Sequence, residues 1–203
     1  ITLYFLSPVV IIRAFEQPFS KSRFYQLVLL VVAVFLTYLV SIIIAKLIFH
    51  RVPDQNIRRI ATYGSIYSNN GFMGVPLAQG LFGSVGVFYA VASMVGFNVM
   101  SWTQGIGIFR HAKRQDLGQQ VKKIILNPNI IAIILGLVMF ISSYRLPKLV
   151  SGFINYTSPA FTPLSMIVIG SNLANLNLRD VKLPRALWVS LILRNLIFPI
   201  IGI

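Results

Sequence analysis

The sequence predicts an all-α polytopic membrane protein, because of its composition and the distribution of its apolar residues. Of the 203 residues, 56% are hydrophobic and 11% are charged, and the mean hydropathy is +0.78. Values this apolar lie far outside the range of soluble globular domains. The apolar residues form long stretches separated by short segments rich in lysine and arginine. This pattern is typical of helices that cross a bilayer several times.

Seven spans are predicted from the lengths of the apolar stretches and from the residues at their ends. A helix that crosses the bilayer needs about 20 mostly apolar residues. Span two is a nearly continuous run of Val, Leu and Ile, whereas span five opens with Asn127 as a helix cap and Pro128 at the first helical position. In chain order, the predicted spans cover residues 1–15, 24–49, about 60–83, 85–109, 127–144, 152–176 and 185–203.

Span four carries many small residues, which favour close packing between membrane helices. They are Ala90, Ala92, Ser93, Gly96, Ser101, Gly105 and Gly107. The amides of Asn98 and Gln104, and of Asn172 in span six, either line a path for a solute or form hydrogen bonds between helices, and the second use is the commoner one.

The chain is expected to be a fragment with two halves joined by a polar linker. It has no initiator Met, and it begins and ends inside apolar runs. Residues 1–15 lack the basic leader and small-residue cleavage site of a signal peptide. The longest hydrophilic stretch, 110–123, divides a first half (1–109, spans one to four) from a second half (124–203, spans five to seven).

Charge predicts orientation and excludes nucleic acid as a partner. The formal net charge is +14, but the basic residues form short clusters between apolar spans, which suits topology and anionic lipid. One side collects most of them, including the linker, so the linker is expected to face the cytoplasm and the partner is the lipid bilayer. The residues on that side are Lys46, Arg51, Arg58, Arg59, Arg110, Lys113, Arg114, Lys122, Lys123, Arg179, Lys182 and Arg185.

A helix break is predicted inside span three. The stretch 69–76 reads Asn69-Asn70-Gly71-Phe72-Met73-Gly74-Val75-Pro76, and two glycines and a proline so close together do not suit an unbroken helix. Non-helical backbone in a membrane survives only where protein buries it or where it lines a watery cavity. The stretch is therefore a candidate solute site. The plainer alternative is a proline kink with glycines that allow close packing.

The charged residues favour an anionic solute. Each of the four acidic residues, Glu16, Asp54, Asp116 and Asp180, is predicted in a loop or at a span end, so no intramembrane carboxylate is available to bind a cation. Arg194 is the one basic residue deep in a span, where it either attracts anions or snorkels and caps carbonyls. His50 and His111 have no ligand cluster around them, and no metal or cofactor is expected.

The motif at 69–77, followed by Leu81-Phe82-Gly83, resembles the signature of the auxin efflux carrier family, which includes bacterial permeases for malonate and malate. Asn127-Pro128 with Gly136, Leu146-Pro147, and Pro163-Leu164-Ser165-Met166 before 169–173 are similar to that family's second-half features. The resemblance covers essentially the whole chain.

The resemblance implies ten spans in two inverted repeats of five, with two proline-broken helices that cross at the centre, as in bile-acid carriers and sodium/proton antiporters. This chain would hold family spans two to eight, in a bacterial inner membrane. Asn69 and Pro76 would be the crossover asparagine and proline, with Gly71 and Gly74 giving the backbone freedom. Phe72 stands where relatives often have asparagine.

The resemblance also implies elevator-type transport by a homodimer. The family's first, fifth and sixth spans would form a scaffold and dimer interface, while the second, third, fourth and seventh would move. The expected substrate site comprises Asn69, Asn70, Gly71, Gly74, Pro76 and Arg194, and the expected cargo is a small organic anion such as a carboxylate. A seven-helix receptor or sensor is the alternative. An intramembrane enzyme is not expected, because the predicted spans hold no paired catalytic groups.

Overall fold

The protein is all-helical over the residues that the structure describes. The computed structural model describes residues 2–109, 122, 125–175 and 183–201, so the linker predicted at 110–123 lies outside this part of the chain, apart from Lys122. The α-helices in these ranges are α1 (Ser7–Phe15), α2 (Lys21–Phe49), α3 (Gln55–Ile66), α4 (Val75–Met100), α5 (Ile106–Phe109), α6 (Pro128–Ser142), α7 (Lys148–Thr157), α8 (Phe161–Ala174), α9 (Arg185–Ile192) and α10 (Phe198–Ile201).

Several of these helices are joined end to end by a single 3₁₀ or π turn. Predicted span six comprises α7, a 3₁₀ turn and α8, and predicted span seven comprises α9, a π turn and α10. In the same way α4 continues into α5 through a π turn. These π turns are Thr2–Leu6, Asn70–Gly74, Ser101–Gly105 and Leu193–Ile197, and the 3₁₀ turn is Ser158–Ala160. Such π turns change the direction of side chains without ending the helical path.

Side-chain caps explain where two helices begin. The Asp54 carboxylate accepts hydrogen bonds from the amides of Asn56 and Ile57, at 2.7 and 3.1 Å, at the start of α3. The Asn127 side chain accepts one from the Asn129 amide, at 2.9 Å, at the start of α6. Each cap satisfies amides that a helix leaves unpaired. The predicted cap of span five is therefore confirmed, and the charge of Asp54 stabilises a helix end.

The chain reverses direction at Gly83, where span three is predicted to end. Gly83 has φ 61° and ψ −146°, a conformation that residues with a side chain rarely adopt. A Cβ atom built on Gly86 would overlap the carbonyl oxygen of Ala78. Along a continuous helix these two residues would stand about 12 Å apart. Helix α4 therefore consists of two antiparallel pieces, the half-helix 75–82 and the longer helix 84–100.

The two predicted halves of the chain pack against each other at several places, which include two pairs of helices. Helix α1 lies along α6, and a Cβ on Gly136 would lie 2.5 Å from the Phe15 ring, so the glycine allows the close approach. Helix α9 lies along α3, where the buried Ser190 hydroxyl donates to the carbonyl oxygen of Ala61 at 2.9 Å. The first pair joins a span that the resemblance places in the moving group to one that it places in the scaffold, and that grouping stays a prediction.

The outer surface has the apolar character of a membrane protein. Two helical stretches, Lys21–Phe49 and Gln55–Phe109, are long and apolar enough to cross a membrane, and the second is broken at 67–69 and reversed at Gly83. Large apolar side chains of α2 point away from the protein, including Leu29, Val32, Leu36, Ile43 and Leu47. Exposed apolar surface of this extent marks contact with lipid or protein.

Candidate functional site

The third span leaves helical geometry immediately before the predicted stretch. Helix α3 ends at Ile66, Tyr67 is extended with φ −99° and ψ 110°, and Asn69 has φ −82° and ψ 69°. The chain then forms the π turn Asn70–Gly74 and enters the half-helix 75–82. The interruption therefore lies at 67–69, a few residues before the glycines and proline that predict it.

Asn69 holds this turn together. Its side-chain oxygen accepts a hydrogen bond from the Phe72 amide at 3.1 Å, and its carbonyl oxygen accepts from the amides of Met73 and Gly74 at 3.2 and 3.1 Å. Three amides freed by the break are thus satisfied by one residue. The oxygen of the Asn69 side chain is committed to the backbone, so this residue positions the turn.

Tyr67 anchors the break to its neighbours. Its ring stacks on Tyr38 of α2 with a centroid distance of 5.6 Å, and its hydroxyl lies 2.5 Å from Gln104 Oε1 and 3.0 Å from the Met100 carbonyl oxygen. A Cβ on Gly105 would lie 3.1 Å from the same ring. Gln104 therefore forms the interhelical hydrogen bond that the sequence predicts as the commoner use of such a residue, and the close packing predicted at Gly105 is confirmed.

A cavity of about 330 Å³, which we call the central cavity, opens beside the break. Asn70 and Arg194 lie together in its lining, although one comes from the first half of the chain and the other from the second. The Asn70 side chain also accepts a hydrogen bond from Ser68 at 2.5 Å. The lining consists of Val34, Thr37, Tyr38, Ser41, Ser65, Ile66, Ser68, Asn70, Ser93, Arg194, Phe198 and Pro199.

The central cavity has the electrostatic character of an anion site. Among the described residues its lining contains one charged group, the half-buried Arg194, and no carboxylate. The hydroxyls of Tyr38 and Ser41 and the side-chain nitrogen of Asn70 can supply neutral hydrogen-bond donors. The other lining hydroxyls already donate within the protein; they belong to Thr37, Ser65, Ser68 and Ser93. A half-buried arginine away from bulk water interacts more strongly with an anion than one at the surface.

The remaining predicted site residues lie around the turn without lining the cavity. Gly74 has φ −64° and ψ −48°, which is ordinary helical geometry, and Gly71 has no positive φ. A Cβ on Gly71 would lie 3.7 Å from the end of the Met94 side chain, which is normal contact. Pro76 is buried in the first turn of α4, where proline is tolerated. In this state, therefore, neither position requires glycine, either to avoid a steric clash or to adopt an unusual backbone conformation.

Several lining residues are absent from the predicted site. Thr37, Tyr38 and Ser41 lie on one face of the apolar middle part of α2, and Ser65 lies on α3 two residues before the break. Ser41 and Ser65 are almost fully buried. A polar face at positions i, i+1 and i+4 of an apolar span is a signal that could have indicated them.

Similarity to known proteins gives this site its context. A family model described as "Membrane transport protein" matches residues 1–203 of the chain. The chain belongs to this membrane transport protein family. The match over the full chain confirms the auxin efflux carrier resemblance, and with it the predicted class of integral membrane transport proteins.

Two relatives of this family member are themselves described as uncharacterized transporters. One, from Methanocaldococcus jannaschii, is 28% identical over 182 residues, which are 86% of this chain and 58% of the relative. The other, from Methanothermobacter thermautotrophicus, is 30% identical over 113 residues, 55% of this chain and 36% of the relative. Both organisms are archaea, whereas the sequence suggested a bacterial-type member. No solved structure matches the chain.

Proposed function

We propose that this chain is part of a secondary transporter that moves small organic anions, such as carboxylates, across the membrane. The chain spans about 58% of the length of a relative that it matches, so the proposal concerns the full-length protein. The observation that carries it is the central cavity, where Arg194 stands among neutral donors and no carboxylate joins it among the described residues. A cation carrier would need acidic groups there.

Asn70 and Arg194 would bind the cargo together, since both line the central cavity. A carboxylate has two oxygens that accept several hydrogen bonds, and an arginine can donate two of them in parallel. Asn70 would donate through its side-chain nitrogen, since its oxygen already accepts from Ser68. The positive end of the half-helix 75–82 begins just beyond Asn70 and adds a favourable potential for a negative charge.

Alternating access would follow from movement of the cavity as a body. The proposed mechanism is of the elevator type, in which α2, α3 and the half-helix 75–82 carry the cavity past a static scaffold that includes 84–109 and α6, within an inverted-repeat fold whose two proline-broken helices cross. Support comes from contacts within the proposed moving group: Tyr38 of α2 stacks on Tyr67, and Phe72 of the π turn stacks on Phe161 of α8. The protein would act as a homodimer in the plasma membrane with the 110–123 linker in the cytoplasm.

The receptor alternative has less support. Both relatives are described as transporters, and the family model describes membrane transport proteins. A receptor would not need a broken span beside a polar cavity.

Uptake by the purified full-length protein in proteoliposomes tests the proposal. A panel of labelled mono- and dicarboxylates is offered, with and without an imposed membrane voltage, and a matched amine is offered as a cation control. We expect saturable uptake of at least one carboxylate and none of the amine. Uptake of the amine with no carboxylate transported would overturn the proposal.

A further inference from the structure

A second, larger cavity lies at the other end of the half-helix 75–82. Its volume is about 990 Å³, and we call it the vestibule. It is bounded by the end of α1, the Gly83 reversal, the turn after α6, and α7. The lining consists of Val10, Arg13, Ala14, Glu16, Gln17, Pro18, Gln79, Gly83, Ser84, Val87, Ser143, Tyr144, Arg145, Ser151, Asn155 and Ser158.

Two arginines, Arg13 and Arg145, line this space. Arg13 donates from its guanidinium to Ser158, whose hydroxyl is buried at the end of α7. Arg145 lies in the short turn 143–147, and that turn is tied to the α1–α2 connection by a hydrogen bond from the Phe19 amide to Ser143 Oγ at 3.2 Å. The hydrogen bond to Ser158 uses one of the five N–H donors of the Arg13 guanidinium, so other donors remain for a ligand.

The charges around the vestibule favour an anion. Among the described lining residues, Arg13 and Arg145 outnumber the one carboxylate, Glu16. The side chains of Gln79, Ser84 and Asn155 add neutral hydrogen-bond donors. A cleft lined by excess positive charge raises the local concentration of anions and the rate at which they enter.

An apolar layer separates the vestibule from the central cavity. Phe72, in the π turn, stacks on Phe161 with a centroid distance of 6.3 Å and an interplanar angle of 9°. Phe161 belongs to the buried core cluster that also contains Phe88 and Met94, and Phe72 packs against that cluster. Asn70 lines one cavity and Gln79 the other, and nine residues of helix correspond to about 13 Å. The two cavities therefore lie at successive levels of one half-helix, with aromatic rings between them.

We propose that the vestibule is a second binding site for the transported organic anion, in which Arg13 and Arg145 hold the cargo before or after it occupies the central cavity. This inference rests on the proposed function, because it concerns the same cargo. In this proposal the positive charge of Arg145 attracts the anion. Arg145 is exposed and lies outside any helix. Replacement of Arg145 should therefore change anion binding without unfolding the protein.

Charge reversal at a single engineered thiol tests this site. The 203-residue chain has no cysteine, so Arg145→Cys is made in full-length protein from which any other cysteines have been removed. Uptake of the carboxylate is measured in vesicles of zwitterionic lipid, so that lipid headgroups supply no net charge. A methanethiosulfonate reagent with a trimethylammonium group then restores a positive charge, and one with a sulfonate introduces a negative charge.

We expect Arg145→Cys to raise KM about threefold to fivefold, which is the scale for loss of an exposed charge interaction. The cationic reagent should return KM toward the parent value, and the anionic reagent should raise it further. Lys148→Cys is the matched control, since Lys148 lies three residues away and is not part of the lining. Its KM should stay within about twofold of the parent under both reagents.

The outcomes separate this inference from the proposed function. Equal effects of the two reagents at Arg145→Cys, or an unchanged KM, would overturn the vestibule site while carboxylate uptake by the parent protein upheld the transporter. Absence of carboxylate uptake by the parent would overturn both. Arg13→Lys supplies a second measurement: it keeps the charge at the α1 end, and we expect a smaller rise in KM than with Arg13→Gln.

Discussion

Asn70 and Arg194 line the same cavity, although they belong to opposite halves of the chain. Asn70 is placed there by the break in the third span, and Arg194 by a π turn in the last described segment. A mid-membrane arginine costs roughly 2.5 to 3.5 kcal/mol on insertion scales. The anion site that we propose in the central cavity would give that cost a functional reason.

Arg194→Gln should weaken anion binding. The substitution removes a charged hydrogen-bond donor from a half-buried position, and such bonds contribute about 1.5 to 3 kcal/mol, so we expect KM for the carboxylate to rise at least about tenfold. Arg194→Lys should lose less, because a point charge remains. Arg185→Gln, on the exposed start of α9 and outside the lining, is the control. An unchanged KM in Arg194→Gln would mean that Arg194 only snorkels.

Asn69→Ala should abolish transport while the protein remains inserted and folded. The change removes the acceptor for the Phe72 amide, and loss of such a cap costs about 1 kcal/mol locally, enough to loosen the turn that presents Asn70. Asn69→Ser keeps a cap acceptor and should retain part of the uptake rate. Parent rates in Asn69→Ala, measured at equal reconstitution, would remove Asn69 from the site.

Ser190→Ala should lower thermal stability and weaken transport. Its hydroxyl donates to Ala61 across the α3–α9 contact and lies one turn before Arg194, so its removal leaves a buried carbonyl with one bond fewer, at a cost of about 1 kcal/mol. Ser142→Ala is the control, because its exposed hydroxyl bonds within its own helix. Fluorescence-monitored melting in detergent would measure both, and equal melting temperatures would argue against the contact.

Gly96→Ala should destabilise the packing of α4 on α2. The added Cβ would lie 2.5 Å from Val34 Cγ1, so the Val34 side chain or one of the helices has to shift, and overpacking of this kind costs about 1 to 3 kcal/mol. Gly107→Ala meets nothing within 4 Å and should be neutral or stabilising, since alanine favours a helix by up to about 1 kcal/mol. A melt in which both variants behave alike would contradict the contact.

The full-length protein should be a homodimer in a lipid environment. The dimer interface implied by the family resemblance uses the scaffold spans. Native mass spectrometry from nanodiscs measures the mass directly. A monomeric mass at all protein concentrations would contradict the expectation.

The sequence predicts the Asn127 cap and the end of the third span near Gly83 because those features depend on local residues. Asn127 before Pro128 is sufficient to indicate a helix start, and glycine is the residue that adopts a positive φ most readily. The position of the break at 67–69 is less predictable. Tyr67 carries no breaker signal, and its extended conformation depends on Tyr38 and Gln104, which lie far away in the chain.

The lining of the central cavity could be predicted only in part, because some of its residues are recognisable by type and others only by their tertiary position. Asn70 and Arg194 stand out as polar residues in apolar surroundings, and the structure places both in one cavity. The different roles of Asn69 and Asn70 depend on which way each side chain points in the turn, and their residue types alone give no indication of it. The serines of the lining are common in packed membrane helices, so only tertiary structure separates them from packing residues.

The phenol of Tyr67 couples two spans. Its hydroxyl donates a hydrogen bond to the fourth span at the point where the third span stops being helical. If the third span became helical there, either the fourth span would have to move or that hydrogen bond would break. A conformational change of the third span beside the cavity would therefore be transmitted to the fourth span. The buried Tyr67 side chain would thus contribute to the free energy required to move either span.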